Sequence, residues 1–314
     1  MNKTSMAINL RKIISPLVSS LFLLSLAGFI SPKAKSPKHV LIIGIDGLSV
    51  KGFQEAKTPN LDKLFSDGVL SLQTRVVMPS VTLPNWTSHL TAAGPEQHGV
   101  TNNNWTLGSH ELSPIETDLE GYYPSIFKAL KDENPEIKTA YFYNWGNLIN
   151  SINQKYLDEV GFEENDGYQE NYDKAFEFAK ASKDSPFLIF LYTVHIDHAG
   201  HTNGWMSKEY IKAIEEADKA IGDLIKKMKS EDVFKNTNFF LITDHGGNEK
   251  GHGGLSREEM EVPWAIVGPN ILKDQKFQIP NSNANTASVI ATIFGVKELQ
   301  ASAIGKTPEG IFKK

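Results

Sequence analysis

Apolar residues along this chain fall into two kinds of run, and the two kinds alternate. The first kind is short and unbroken. "HVLIIGIDG" (His39 to Gly47), "VLSLQTRVVM" (from Val69), "KTAYFYNW" (Lys138 to Trp145), "SPFLIFLYTVHID" (Ser185 to Asp197), "NTNFFLITD" and "VPWAIVG" have strand length and are rich in β-branched and aromatic residues. The second kind is helical. From Ser207 to Met228 the apolar residues Tyr210, Ile211, Ile214, Ile221, Leu224, Ile225 and Met228 lie on one stripe. "TPNLDKLFSDG" (Thr58 to Gly68) has a threonine cap, proline at its first position and glycine past its end. "PSVTLPNWTSHLTAAG" is a turn opening a helix that stops at Gly94-Pro95, and "NTASVIATIFG" is a closing helix. Strands apolar throughout, interleaved with helices, predict a three-layer α/β/α sandwich around a mostly parallel central sheet.

In such a sheet a site lies outside the carboxyl ends of the strands. Asp46, Asp197 and Asp244 each end a strand-like run. Histidines join them: "HIDHAGH" sets Asp197 and His201 four apart with Gly200 between, and "TDHGGNEKGHGG" follows Asp244 with His245 and, across a glycine-rich loop, His252. Each has a plainer reading, as a turn residue, a polar loop or a helix cap, but no plain reading covers the set. Three carboxylates and three imidazoles suit zinc or manganese and suffice for two ions. Thr82 sits at a strand-to-helix turn, where backbone N–H groups and the helix dipole favour an anion. Its hydroxyl becomes a competent nucleophile when a bound metal lowers its pKa, the alternative being an ordinary helix cap. His39, His89, His98, His110, His195 and His198 have no partner assignable from sequence and read as structural or surface residues.

Composition narrows the picture further. At 314 residues, with 40% hydrophobic and 22% charged, the chain is long enough for a sizeable core. The absence of cysteine excludes disulfides and thiolate metal sites. Residues 1–34 start basic, run apolar from Ile13 to Ile30 and exit through "SPKAKSPK", the pattern of a secretory signal peptide, with an uncleaved N-terminal anchor as the alternative. Residues 35–314 then form a single domain. Loss of the first 34 residues removes Lys3, Arg11, Lys12 and Lys33 and no acid, leaving 28 basic against 37 acidic residues, a net charge of −9. Such a body binds duplex nucleic acid and anionic membrane poorly, and an anionic substrate would need local positive charge such as metal ions.

The order Asp46, Thr82, Asp197-x-x-x-His201, Asp244-His245 and His252, on this strand pattern, resembles the alkaline phosphatase superfamily. More closely it resembles the nucleotide pyrophosphatase/phosphodiesterase branch, from about His39 to about Gly268. The resemblance implies two divalent ions, most readily zinc, one held by Asp46, Thr82, Asp244 and His245 and the other by Asp197, His201 and His252. It implies Thr82 as the nucleophile of a phospho-threonine intermediate. Asn103 in "HGVTNN" matches a donor to a phosphoryl oxygen, and Tyr192 matches an aromatic that stacks on a nucleobase. Leu83 stands where nucleotide-hydrolysing members often carry phenylalanine, which weakens half of such a clamp. The expected protein is a periplasmic or secreted hydrolase of phosphate diesters or phosphoanhydrides with a small, nucleotide-like substrate. A phosphonoacetate-type hydrolase and a phosphomonoesterase are the rivals within the superfamily. A sulfatase would need a Cys/Ser-x-Pro-x-Arg context that "PSVTLPN" lacks, and a phosphoglycerate mutase would need a second large domain. A non-catalytic zinc-binding surface protein is the rival of a different class.

Overall fold

Strand β1 (His39–Ile45) shows how the sequence builds the sheet, in a computed structural model that describes residues 38–273, 275–276 and 280–313. Successive side chains of a strand point to opposite faces. Val40 and Ile42 enter one buried cluster with Trp86, Phe190 and Trp264, whereas Leu41, Ile43 and Ile45 enter another with Tyr210, Ile214 and Phe239. Both faces are covered, so the strand is apolar without interruption.

After β1 the chain runs through α1 (Val50–Glu55), α2 (Pro59–Phe65), β2 (Val69–Arg75), α3 (Thr82–Thr91), α4 (Pro95–His98) and α5 (Ile126–Glu133). It continues through β3 (Lys138–Tyr143), β4 (Glu159–Phe162), α6 (Gln169–Ala181), β5 (Phe187–Thr193), α7 (His195–Asn203) and α8 (Lys208–Ser230). The last part holds β6 (Thr237–Ile242), α9 (Arg257–Met260), β7 (Glu261–Val267), β8 (Gln275–Lys276), β9 (Asn281–Ser282) and α10 (Asn285–Phe294). The strands lie in the order β4-β3-β5-β1-β6-β7-β2-β8, with β9 on β2. From β4 to β6 every pairing is parallel, and β7 alone runs antiparallel, to both β6 and β2. Helices α3, α5 and α10 cover one face, while α2, α6 and α8 cover the other. The predicted three-layer sandwich is the observed one.

Two local expectations change. The run read as a strand to Asp197 leaves the sheet at Thr193, which pairs with Ile45, and then turns into α7. Asp197 therefore lies in the first helical turn, with His201 one turn later on the same face. Thr58 precedes α2 as expected, but its hydroxyl donates to Asp62 and leaves the helix start uncapped. Asp218 of α8 supplies the cap from across the fold, accepting from the amides of Asn60 at 3.1 Å and Leu61 at 2.8 Å. A buried carboxylate at a helix N-terminus satisfies exposed donors and the dipole together.

The described residues belong to one compact unit. None of their helices is long and apolar enough to cross a membrane. The expected signal peptide or anchor lies outside the described residues.

Candidate active site

Three loops meet at the carboxyl edge of the sheet. Asp46 follows β1, its amide donating to the Thr193 carbonyl at 3.0 Å. Gly47 comes next with a φ of +68°, and a side chain there would lie 3.0 Å from Asp197. Its amide donates to Asp244 Oδ1 at 3.2 Å, which ties the β1 loop to the β6 loop. Thr82 is the first residue of α3, and extended Val81 occupies the cap position. The hydroxyl is therefore not spent on capping, and it lies 3.3 Å from His245 Nε2.

The three histidines are oriented alike. Nδ1 of His201, His245 and His252 lies 2.9, 2.8 and 2.9 Å from the carbonyl oxygens of Lys250, Gly246 and Ser80. A carbonyl only accepts, so each Nδ1 carries the hydrogen and each Nε2 presents a lone pair. Those lone pairs face carboxylates. His245 Nε2 is 3.1 Å from Asp244 Oδ2 and 3.5 Å from Asp46 Oδ1, His201 Nε2 is 3.4 Å from Asp197 Oδ2, and His252 Nε2 is 3.8 Å from Asp197 Oδ1. Acceptor confronts acceptor throughout. Asp46 Oδ1, Asp197 Oδ1 and Asp244 Oδ2 are buried and accept no hydrogen bond.

Electrostatics follow from this crowding. Burial, with Asp197 nearby, pushes the Asp46 carboxyl up to about 8, and burial with Asp166 nearby pushes Asp197 up to about 7. Burial and the neighbouring carboxylates hold Asp244 well above its ordinary range. Burial drives His245 well below its ordinary value and lowers His252. Unpartnered buried oxygens facing imidazole lone pairs are what a divalent cation satisfies. The residues fit such ions.

Two groups bring their ligand atoms within 4.8 Å of one another: Asp46, Asp244 and His245, and Asp197, His245 and His252. His245 belongs to both, its ring stacked on that of His252 with centroids 3.6 Å apart. His201 stands at the outer edge, reaching the cluster through Asp197. It is held there because its other nitrogen is anchored on the Lys250 carbonyl.

Asn103 lies beside Thr82. Its Oδ1 accepts from the Leu83 amide at 2.8 Å, which turns Nδ2 towards Thr82 Oγ1 at 3.4 Å. The other two side chains expected to touch substrate are both buried. The Leu83 side chain is buried in the core beneath α3. Tyr192, expected to stack on a base, is 0% exposed, edge-on to Trp86 at 5.3 Å. It lies inside β5, every residue of which is buried, in one cluster with Leu188 and Phe190, and its place within the unbroken apolar run was the sequence signal for this. Its hydroxyl donates to Asp46 Oδ2, and burial raises the phenol well above its usual value, so it remains a donor. Tyr192→Phe is expected to weaken retention of an ion bound at Asp46 about 10- to 100-fold, because the hydroxyl that orients this candidate carboxylate is lost. A chelator titration measures this, and unchanged retention would reduce the phenol to a space-filler.

Of the histidines left unassigned, His98 is buried with Nε2 3.0 Å from Ser88 Oγ, and His39 stacks on Phe187. His198 pairs with Asp166 at 2.6 Å, His195 stacks on Tyr168 and His110 on Trp105.

A mostly parallel sheet between two helical layers, with carboxylates and histidines converging at its carboxyl edge, is the architecture expected of a domain of the alkaline phosphatase superfamily. The profile of the type I phosphodiesterase / nucleotide pyrophosphatase family matches residues 40–251, and the chain belongs to that family. An uncharacterised pyrophosphatase/phosphodiesterase of Schizosaccharomyces pombe is 27% identical over 214 residues, which cover 66% of this chain and 44% of that protein. Ectonucleotide pyrophosphatase/phosphodiesterase family member 3 of Mus musculus is 26% identical over 215 residues, covering 66% of this chain and 24% of that protein. The matched regions thus span less than half the length of either relative. Among solved structures, an inactive variant of murine ectonucleotide pyrophosphatase/phosphodiesterase 5 in complex with AMP superposes with a TM-score of 0.70 at 16% identity, covering 87% of this chain and 97% of that one. That likeness is one of fold.

Proposed function

We propose that this chain is a two-metal hydrolase of phosphate diesters or phosphoanhydrides that works through a phosphorylated Thr82. The observation that carries this reading is the place of the Thr82 hydroxyl, between His245 Nε2 and the Asn103 amide at the start of α3. Asp46, Thr82, Asp244 and His245 would hold one divalent ion, and Asp197, His201 and His252 the other, with zinc suited to this donor set. Ions bound there supply the positive charge that acidifies a hydroxyl and offsets developing charge on phosphoryl oxygens.

The chain's own groups do the rest. Thr82 Oγ gives up its proton to solvent and forms a bond to phosphorus while the leaving-group oxygen departs with the bonding pair; a water oxygen then bonds to phosphorus as the Oγ–P bond breaks with its pair on Oγ, and a proton from that water restores the hydroxyl. Asn103 Nδ2 donates to a phosphoryl oxygen, and the N-terminus of α3 directs backbone dipoles at the same group. The AMP complex of the murine relative supports a nucleotide-like substrate. With Tyr192 and Leu83 both buried, any base would be held by other residues.

Charge at phosphorus selects among the rivals. A monoester dianion carries one more anionic oxygen than a diester, and its enzymes commonly supply a bidentate arginine. Beyond residue 34 this chain has two arginines, Arg75 and Arg257, and both are paired with Glu261. Asn103 is neutral and suits a singly charged group. The expected result is a kcat/KM for bis-p-nitrophenyl phosphate at least about tenfold above that for p-nitrophenyl phosphate on one zinc-loaded preparation, about 1.4 kcal/mol in the transition state. A monoester preference would convert the assignment to a phosphomonoesterase.

The basic and apolar pattern of residues 1–34 supports export to the periplasm or medium. N-terminal sequencing of native protein should begin close to Ala34, and an intact Met1 on a cytoplasmic protein would remove this element of the proposal.

A further inference from the structure

Helix α3 carries Thr82 at its start and His89 two turns later. His89 is 0% exposed, and both ring nitrogens are engaged. Nε2 lies 3.0 Å from the carbonyl oxygen of Thr243, and Nδ1 lies 2.8 Å from Thr286 Oγ1. The carbonyl only accepts, so Nε2 carries the hydrogen, and Nδ1 must accept from the Thr286 hydroxyl. That hydroxyl oxygen accepts in turn from the Trp264 indole at 3.0 Å. Burial lowers His89 to about 4, which keeps the ring neutral and the chain of donors fixed in direction.

Thr243 is the residue before Asp244 and His245. Its hydroxyl accepts from the Leu48 amide at 3.1 Å and donates to the His245 carbonyl at 3.2 Å. One imidazole thus joins the helix that bears Thr82 to the point where β6 gives way to the loop of Asp244 and His245. At the other end of the same unit, Thr82 Oγ1 and His245 Nε2 close to 3.3 Å.

We propose that His89 is a positioning residue: it holds α3 in register with the end of β6, and so sets the separation between the Thr82 hydroxyl and the Asp244–His245 loop. The role rests on the reading of Thr82 and His245 given above. A neutral imidazole suits it because it offers one donor and one acceptor on opposite edges of a rigid ring. Leucine fills similar space and offers neither. Glutamine places an amide nitrogen near the position of Nε2 and keeps the bond to Thr243.

The test uses metal-loaded protein with His89→Leu, His89→Gln and Thr286→Val, the last removing the hydroxyl that fixes Nδ1. For each, kcat and KM on bis-p-nitrophenyl phosphate are measured with the thermal midpoint and the rate of ion loss to a chelator. A misplacement of about 1 Å at a reacting centre costs about 100-fold, so His89→Leu is expected to lower kcat by about that factor with KM little changed, and to release one ion faster. His89→Gln recovers most of kcat, and Thr286→Val falls between. Wild-type kcat and ion retention in both His89→Leu and Thr286→Val would overturn the proposal. So would losses that simply follow the thermal midpoint in all three. If His89→Leu does not fold, His89→Gln and Thr286→Val decide by the same criteria. Thr82→Ala separates the two levels: turnover retained there removes the reading of the site, whereas turnover lost there beside wild-type His89 variants removes only the positioning role.

Discussion

Thr82→Ala is expected to fold normally, keep most of its metal and lose turnover by roughly a thousandfold or more, about 4 kcal/mol in the transition state. The fold should survive because alanine is a better helix former than threonine and the cap position belongs to Val81. The metal should largely remain because the carboxylates and imidazoles around the hydroxyl are untouched. What disappears, on the mechanism proposed for Thr82, is the covalent route, which leaves only direct attack by water on an oriented phosphate. Thr82→Ser keeps a hydroxyl and should restore part of the rate. Steady-state kinetics on bis-p-nitrophenyl phosphate check both variants. Near-normal turnover of Thr82→Ala would leave Thr82 as an ordinary first residue of α3.

Exhaustive chelation is expected to abolish activity, and zinc to restore it. The physical reason is the concentration of buried carboxylate at Asp46, Asp197 and Asp244, whose free oxygens face imidazole lone pairs. Elemental analysis should find close to two ions per chain, the number the donor set can satisfy. His252→Ala should lose one of them preferentially, since His252 belongs only to the group around Asp197. Full activity after chelation would remove metal from the chemistry altogether.

The strands nearest the site were legible because they are buried on both faces and so read as unbroken apolar runs. Their direction was not. Nothing in "VPWAIVG" distinguishes β7, which runs antiparallel, from its parallel neighbours. Strand β4 escaped notice because its residues Glu159, Val160 and Phe162 are exposed at the sheet edge and carry no burial signal. Asp46, Asp244 and His245 could be named from their places just past strand ends, and Asp197, His201 and His252 from residue type and spacing, although Asp197 and His201 lie in α7 and not at the strand end expected for Asp197. Their backbone partners could not. The carbonyls of Lys250, Gly246 and Ser80 that orient the three rings belong to any residue type, and no sequence pattern announces them. Tyr192 fits its position for two reasons at once, a buried ring and a donor to Asp46, and its place inside an unbroken apolar run is the signal that sets these apart from a surface role.

The place of β1 in the sheet has a consequence for how the chain reaches its native state. Among the described residues it is the first strand in sequence and a central one in space: His39 pairs with Phe187 on one side and Thr237 on the other. During synthesis "VLIIGI" therefore emerges long before either partner exists. Local helices can form early, but the middle of the sheet cannot close until the ribosome has delivered Ile242. Non-local pairing of this kind slows folding and leaves a sticky segment uncovered while the chain waits. A nascent chain of this topology therefore keeps β1 without its two neighbours until most of the sequence has been made.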